Sequence, residues 1–308
     1  MKINKDEVTV FIPTLNESPT IGGLVREFRE LGYNHIFVMD GHSTDATVAI
    51  AEKEGAMVRI QAGKGKGDAM MEGFEMVETP YILLLDGDGT YAPADADLML
   101  TPLFNGFDHV IGNRLIHAEE GAFSRLNLLG NYLLNHLFKF AHSRDLQDIL
   151  SGYRAFKKTT IHQMHLTETG FEIETEVSVE AVRNNHRIKV VPVTYRKRPG
   201  TDTKLNPLHD GYKIAVTIYR LAKMNNPIFY FGIIGAIMAI IGFLTGIVVV
   251  VEWLNGITHL PLAVLTVLLI MVGVEIFMFG VLSDMILAYH REMMDEIQRI
   301  NPEIPHRE

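Results

Sequence analysis

The sequence predicts an α/β domain on a parallel sheet, followed by a hairpin of membrane-crossing helices. Short apolar segments at 8–12, 36–39, 56–60 and 81–85 alternate with helical periodicity at 20–31, 45–54 and 67–78. That alternation is the mark of a parallel sheet covered on both faces. Residues 228–251 carry no charged side chain, and a helix of that length crosses a hydrocarbon core of roughly 30 Å. A second apolar run, 260–290, is interrupted by Glu275 and Asp284.

The elements follow in order. In the first helix, Ile21, Leu24, Val25 and Phe28 share one side. Gly55 stops the second helix. In such sheets ligands sit beyond the carboxyl ends of strands, so the loops after Ile12, Met39 and Leu85 are where chemistry is expected. A middle zone, 111–226, begins with Gly112-Asn113-Arg114. It continues with leucines at helical spacing (Leu126, Leu129, Leu133, Leu137, then Phe140) and a turn-rich segment at 148–154. A helix at 172–183, a strand at 189–195, a basic loop at 196–204 and an amphipathic stretch at 208–221 complete it. Trp253 stands where an interfacial aromatic is expected. The 252–261 connection has no Lys or Arg, whereas Arg220, Lys223 and Arg291 flank the spans. The positive-inside rule therefore puts the large domain and the tail in the cytoplasm. Glu275 within a span is costly unless it is paired or faces protein. The competing reading of the two runs, a buried hairpin in a soluble core, fits poorly with their length and uniformity.

Composition narrows the function. The chain has 308 residues, 47% hydrophobic and 21% charged, too apolar for disorder. A formal charge of -9 gives no support to a nucleic-acid surface. The absence of cysteine excludes disulfides, thiolate zinc sites and cysteine nucleophiles. The 13 histidines form no His-Glu-x-x-His, so no zinc site is expected. No apolar run long enough for a signal peptide follows the N-terminal Met1.

The candidate chemistry lies in the strand-end loops. Asp86-Gly87-Asp88-Gly89-Thr90 follows a nearly all-apolar strand. Two carboxylates on a glycine bend can face one hard divalent ion and leave sites for a diphosphate; a surface turn is the alternative. Asp40, heading the run to Asp45, suits hydrogen bonds from a base or ribose, or an N-cap. Glu17 occupies the first such loop. Gly63-Lys64-Gly65-Lys66-Gly67 resembles a phosphate cradle but is not a P-loop, because Gly67 replaces the Ser or Thr. Arg114, Arg125, Arg154, Arg196, Arg198 and Lys204 concentrate basic charge ahead of the membrane segment. They suit phosphate contact or attraction to anionic headgroups.

Taken together, 12–17 (Ile-Pro-Thr-Leu-Asn-Glu), 40–45, Gly65-Lys66-Gly67, Asp86-Gly87-Asp88 and Ser151-Gly152-Tyr153-Arg154 resemble family 2 glycosyltransferases of the dolichyl-phosphate mannose synthase type. Segments 41–45, 85–91, 148–154 (from Asp148) and 226–232 are similar to the archaeal enzymes that begin N-glycan assembly on dolichyl phosphate. The resemblance implies a GT-A nucleotide-diphospho-sugar transferase domain at 1–205 and an amphipathic interface helix and linker at 206–226. Two transmembrane helices at 227–290 and a cytoplasmic tail at 291–308 follow. It implies a multi-pass cell-membrane protein with its catalytic domain in the cytoplasm. The implied partners are a UDP-sugar (glucose or N-acetylglucosamine), dolichyl phosphate, the bilayer and a possible second copy, with Mg²⁺ or Mn²⁺ as cofactor and no nucleic acid. By the same resemblance Pro13, Glu17, Asp40, Lys66 and Asp86 bind nucleotide. Asp86, Asp88 and Thr90 match the metal motif, with Thr90 standing where the mannose synthases usually carry glutamine. Asp86, Asp88 and Arg114 are the catalytic set, and Arg125 and Arg198 meet the acceptor phosphate. Asp148, Arg154, Arg196 and Lys204 are further candidates. A GDP-mannose donor and a polysaccharide acceptor are the alternatives. A processive polymer synthase is disfavoured, because the single tryptophan, Trp253, lies outside the catalytic zone.

Overall fold

The computed structural model describes residues 3–199 and 208–300, without the side chains of 223–225, 290–292 and 294–300. Lys204 lies outside the described residues. The chain divides into two compact units, Met1–Ile218 and Tyr219–Glu308.

The first unit holds strands β1 (Val8–Thr14), β2 (His35–Asp40), β3 (Met57–Ile60), β4 (Tyr81–Leu84), β5 (His109–Ala118), β6 (Arg154–Lys157) and β7 (Ile188–Tyr195). Its helices are α1 (Ile21–Glu30), α2 (Thr47–Lys53), α3 (Lys66–Met76), α4 (Ala96–Phe104), α5 (Arg125–His142), α6 (Lys158–Ile161) and α7 (Ile173–Arg183). Helix α8 (His209–Asn225) contains the division between the units. The strand order is β3-β2-β1-β4-β6-β5-β7. The expected parallel sheet holds for β3, β2, β1 and β4. Beyond β4 it becomes mixed, because β6 runs antiparallel to both β4 and β5.

Alternation on β1 builds the two cores, since successive side chains of a strand point to opposite faces. Val8, Val10 and Ile12 pack with Leu24, Val25 and Phe28 of α1 and with Leu100 and Leu103 of α4. Phe11 packs on the other face with Met70 and Phe74 of α3 and with Ile173 and Val177 of α7.

Helix α7 carries acidic side chains into the interior of the first unit. Glu174, Glu176 and Glu180 are all buried. The Glu176 carboxylate accepts from the backbone N–H of Thr167 and Glu168 and from the Thr167 hydroxyl, and Glu180 accepts from His165 N–H. These carboxylates tie down the 165–168 loop, and a buried carboxylate needs such donors to offset its desolvation.

The second unit contains α9 (Pro227–Leu254) and α10 (Leu260–Ile300). Pro227–Leu254 and Leu260–Tyr289 are long and apolar enough to cross a membrane, and only 11% of each apolar window is buried. A helix hairpin in a soluble core would be mostly buried, so the exposure argues against that reading. Small residues let the two backbones approach: a Cβ on Gly235 would stand 2.5 Å from the Gly273 carbonyl oxygen. Thr266 donates to Thr245 across the pair at 3.1 Å. Glu275 is exposed on α10.

Candidate active site

The strand ends gather the predicted loops around a cavity of about 420 Å³. Pro13, Glu17, Gly41, Gln61, Lys66, Asp86 and Asp88 contribute to its wall. A second cavity of about 530 Å³ is lined by Leu126, Leu129, Leu133, Leu134 and Leu137 of α5, facing Leu208, Tyr212 and Ala215 at the start of α8. Asp88, Arg114, Leu150, Tyr195, Arg198 and Ile214 line both. A polar chamber and a leucine-walled one therefore meet at two arginines and a carboxylate.

Each carboxylate after β4 is held by a cation. Lys66 Nζ lies 2.5 Å from Asp86 Oδ1 and also bonds Glu174 Oε1. Burial opposes the charge on Lys66, but Asp86 and Glu174 overcome it and raise the lysine pKa. Asp88 Oδ1 accepts from the Thr90 hydroxyl at 2.6 Å, and its Oδ2 lies 3.3 Å from Arg198 Nη1. Arg198 Nη2 reaches Glu17 Oε1 at 2.6 Å. Gly152 is required beside Asp86, since a Cβ there would stand 2.3 Å from Asp86 Oδ2.

Arg114 reaches the junction from β5. Its Nε and Nη2 grip the two oxygens of Asp148 at 2.8 and 2.7 Å. The rings of Phe123 and Tyr195 lie 5.7 and 5.5 Å from its guanidinium carbon. Burial works against its charge, yet Asp148 drives the pKa well above the ordinary arginine value. Asp148, fully buried, thus holds the arginine rather than facing a ligand.

Among the described residues no group of three or more His, Asp or Glu could by itself hold a metal ion. Asp86 and Asp88 nevertheless offer hard oxygens suited to Mg²⁺ or Mn²⁺, and remaining positions would be open to phosphate oxygens and water.

Several predicted residues stand elsewhere. Arg154 is completely buried and donates to the carbonyls of Ile149 and Ser151 and to the Ser178 hydroxyl. Burial pulls its pKa down to about 10. It braces the 149–151 turn and does not line either cavity. Arg154→Ala should therefore cost about 3 kcal/mol of stability, from the void and the unpaired carbonyls, and thermal unfolding measures it. Arg196 is turned to Glu27 at 4.0 Å. Arg125 is exposed at the start of α5 and lines neither cavity, so it does not join Arg198. Asp40, 1% exposed, accepts from Thr14 and twice from Ser43, shaping the loop behind the wall that Gly41 lines. The glycine-rich 63–67 loop is no open cradle. Gly67 N–H donates to Thr169 O, and a Cβ on Gly67 would lie 1.9 Å from the Glu168 carbonyl oxygen. Gln61 and Glu174 were not legible as site residues. Nothing in their sequence context distinguishes them from an ordinary strand end and a solvated helix face.

The sequence model of glycosyl transferase family 2 matches residues 9–163, which include the loops after β1, β2, β3 and β4. The chain belongs to this family. Glycosyltransferase AglJ of Haloferax volcanii is 46% identical over 298 residues, 96% of this chain and 98% of that protein. A dolichyl-phosphate hexose transferase of the same organism is 30% identical over 219 residues, 70% of this glycosyltransferase and 94% of that one. Glucosyl-3-phosphoglycerate synthase from Mycobacterium tuberculosis, solved with Mn²⁺, UDP-glucose and phosphoglyceric acid, matches with a TM-score of 0.59 at 19% identity. It covers 70% of this chain and 79% of that one. The likeness establishes a GT-A type fold for this glycosyltransferase, and the archaeal relatives bear out the resemblance in the sequence.

Proposed function

We propose that this glycosyltransferase moves glucose or N-acetylglucosamine from a UDP-sugar to dolichyl phosphate, giving a β-linked lipid phosphate sugar for protein N-glycosylation. The observation that carries this reading is the meeting of a polar and a leucine-walled cavity at Asp88, Arg114 and Arg198. The polar cavity suits a nucleotide diphosphate sugar, and the leucine cavity suits the first part of a prenyl chain. The acceptor phosphate would lie where they join.

The chemistry follows from charge. A phosphate monoester is already anionic near neutral pH and attacks the anomeric carbon with little help from a general base. The difficulty is bringing two anionic groups together. Arg114 keeps Asp148 on one side of its guanidinium, and among the described residues nothing bonds its Nη1. Arg198 bridges Glu17 and Asp88 at the same junction. Both are aimed to screen phosphate charge. Asp86 and Asp88 would hold a divalent cation, which supplies charge stabilisation for the leaving diphosphate. A single displacement inverts the donor's α linkage. UDP release from UDP-glucose, UDP-N-acetylglucosamine or GDP release from GDP-mannose, with and without dolichyl phosphate, tests the reading. Release that ignores the lipid would refute it.

The position of Arg198 changes what its variant should do. Arg198→Lys loses the two-pronged grip on Glu17 and Asp88 that a single ammonium cannot reproduce. We expect about a thirtyfold loss of kcat/KM for dolichyl phosphate, from a charge-assisted contact of about 2 kcal/mol. Donor affinity should weaken as well, because Glu17 lines the donor side. Arg125→Lys should stay within about threefold, as expected of an exposed surface charge. Acceptor kinetics and donor calorimetry on both variants decide this.

We further propose that 227–290 spans the membrane, with 252–261 outside and 1–205 and 291–308 in the cytoplasm. A cysteine at Asn255 would be the chain's only thiol. It should react with an impermeant reagent from outside, and labelling from the cytoplasmic side alone would refute the hairpin.

A further inference from the structure

The Lys66 cluster carries more negative charge than the lysine requires. Asp86 alone neutralises Lys66, yet the ammonium also holds Glu174. Glu174 is 4% exposed and lines the polar cavity together with Phe171 from the same chain segment. Other buried glutamates of α7 have clear employment, because Glu176 and Glu180 accept backbone N–H groups of 165–168. Among the described residues, Glu174 Oε1 bonds Lys66, and no protein donor is seen on its Oε2. That oxygen is not among the sealed, unpartnered polar atoms of the described residues, and Glu174 lines the cavity wall, so the oxygen is open to a donor from a ligand.

The arrangement also has a direction. Glu17, Gly41 and Gln61 follow β1, β2 and β3, whereas Asp86 follows β4, the next strand in the sheet. Lys66 links Asp86 onward to Glu174 on α7. With a nucleoside over β3, β2 and β1 and its diphosphate at Asp86 and Asp88, Glu174 falls on the side of the group attached beyond the diphosphate. A carboxylate accepts two hydroxyl hydrogens at once, and a hexose presents neighbouring hydroxyls. Phe171 adds an apolar surface for its C–H face.

We propose that Glu174 reads hydroxyls of the transferred sugar, with Lys66 fixing it in register with Asp86. This rests on the polar cavity being the nucleotide-sugar site. Glu174 is then a specificity-determining residue, and Lys66 a positioning one.

The test measures binding of UDP, UDP-glucose and its singly deoxygenated analogues to the full-length protein in detergent, by calorimetry, for wild type and Glu174→Gln. UDP affinity should stay within about threefold, and UDP-glucose affinity should fall by about tenfold or more, the scale expected for a lost charged hydrogen bond. At least one deoxygenation should weaken wild type by about tenfold and Glu174→Gln hardly at all. Equal weakening of UDP and UDP-glucose would reduce Glu174 to a support for Lys66 and overturn the proposal. So would a deoxy series that affects both proteins alike. If Glu174→Gln does not fold, the wild-type series still decides, because tolerance of every deoxygenation overturns it. Wild type that binds no UDP at all would instead overturn the nucleotide-sugar reading of the cavity.

Discussion

Asp88→Asn is expected to lower turnover by about a hundredfold or more, the scale of losing one element of transition-state charge stabilisation. Among the described residues, Asp88 is the one acidic side chain that lines both cavities. It also orders its surroundings, accepting from Thr90 and pairing with Arg198. Asparagine preserves the shape and one acceptor but removes the charge that a divalent cation and Arg198 need. The loss should appear in kcat, and titration with Mg²⁺ or Mn²⁺ should not restore it. Wild-type turnover that survives chelation would show that no cation acts there.

The second large effect is expected from Arg114→Lys. The fork on Asp148 depends on two nitrogens held in one plane, which an ammonium cannot copy. Asp148 is fully buried, so a weakened partner leaves its charge poorly compensated at a cost of about 3 kcal/mol. The variant should unfold at lower temperature. Below that temperature, kcat should fall about a hundredfold with UDP affinity little changed, because Arg114 lines the junction of the two cavities, where the proposed phosphates meet. A variant with reduced stability and normal kcat would make Arg114 a structural residue only.

What the sequence disclosed followed the periodicity of apolar residues. β1, β2 and β4 were legible because their side chains are largely apolar on both faces, as a strand covered on both sides requires, whereas β3 was legible only as a short apolar segment, since it is an exposed edge strand that carries Arg59. β5 was not, because His109, Asn113 and Arg114 interrupt it, and these polar residues are buried. A local pattern fails where a strand carries site residues inward. β6 was hidden in the same way, with Arg154 at its first position inside a turn-rich segment. The Asp86 and Asp88 pair was legible from its place after an apolar strand. The sorting of the basic residues was not. Arg154 serves the fold, Arg196 the surface and Arg198 the junction, although the three are alike in sequence. That distinction depends on tertiary partners such as Ser178, Glu27 and Glu17. The 63–67 loop misled for a related reason, since the contact that occupies it comes from Thr169, a hundred positions along the chain.

If a donor sugar and a lipid phosphate are joined at Asp88, Arg114 and Arg198, a glycosylated lipid phosphate must accumulate. The most direct test is the product itself. The protein in lipid would be supplied with dolichyl phosphate, a divalent cation and ¹³C-labelled UDP-glucose or UDP-N-acetylglucosamine, and the extracted lipid analysed by mass and by the anomeric coupling in its NMR spectrum. A dolichyl-phosphate monosaccharide carrying the label in a β linkage is expected. Label in free sugar, protein or polysaccharide with unmodified lipid, or a lipid product of α configuration, would contradict it.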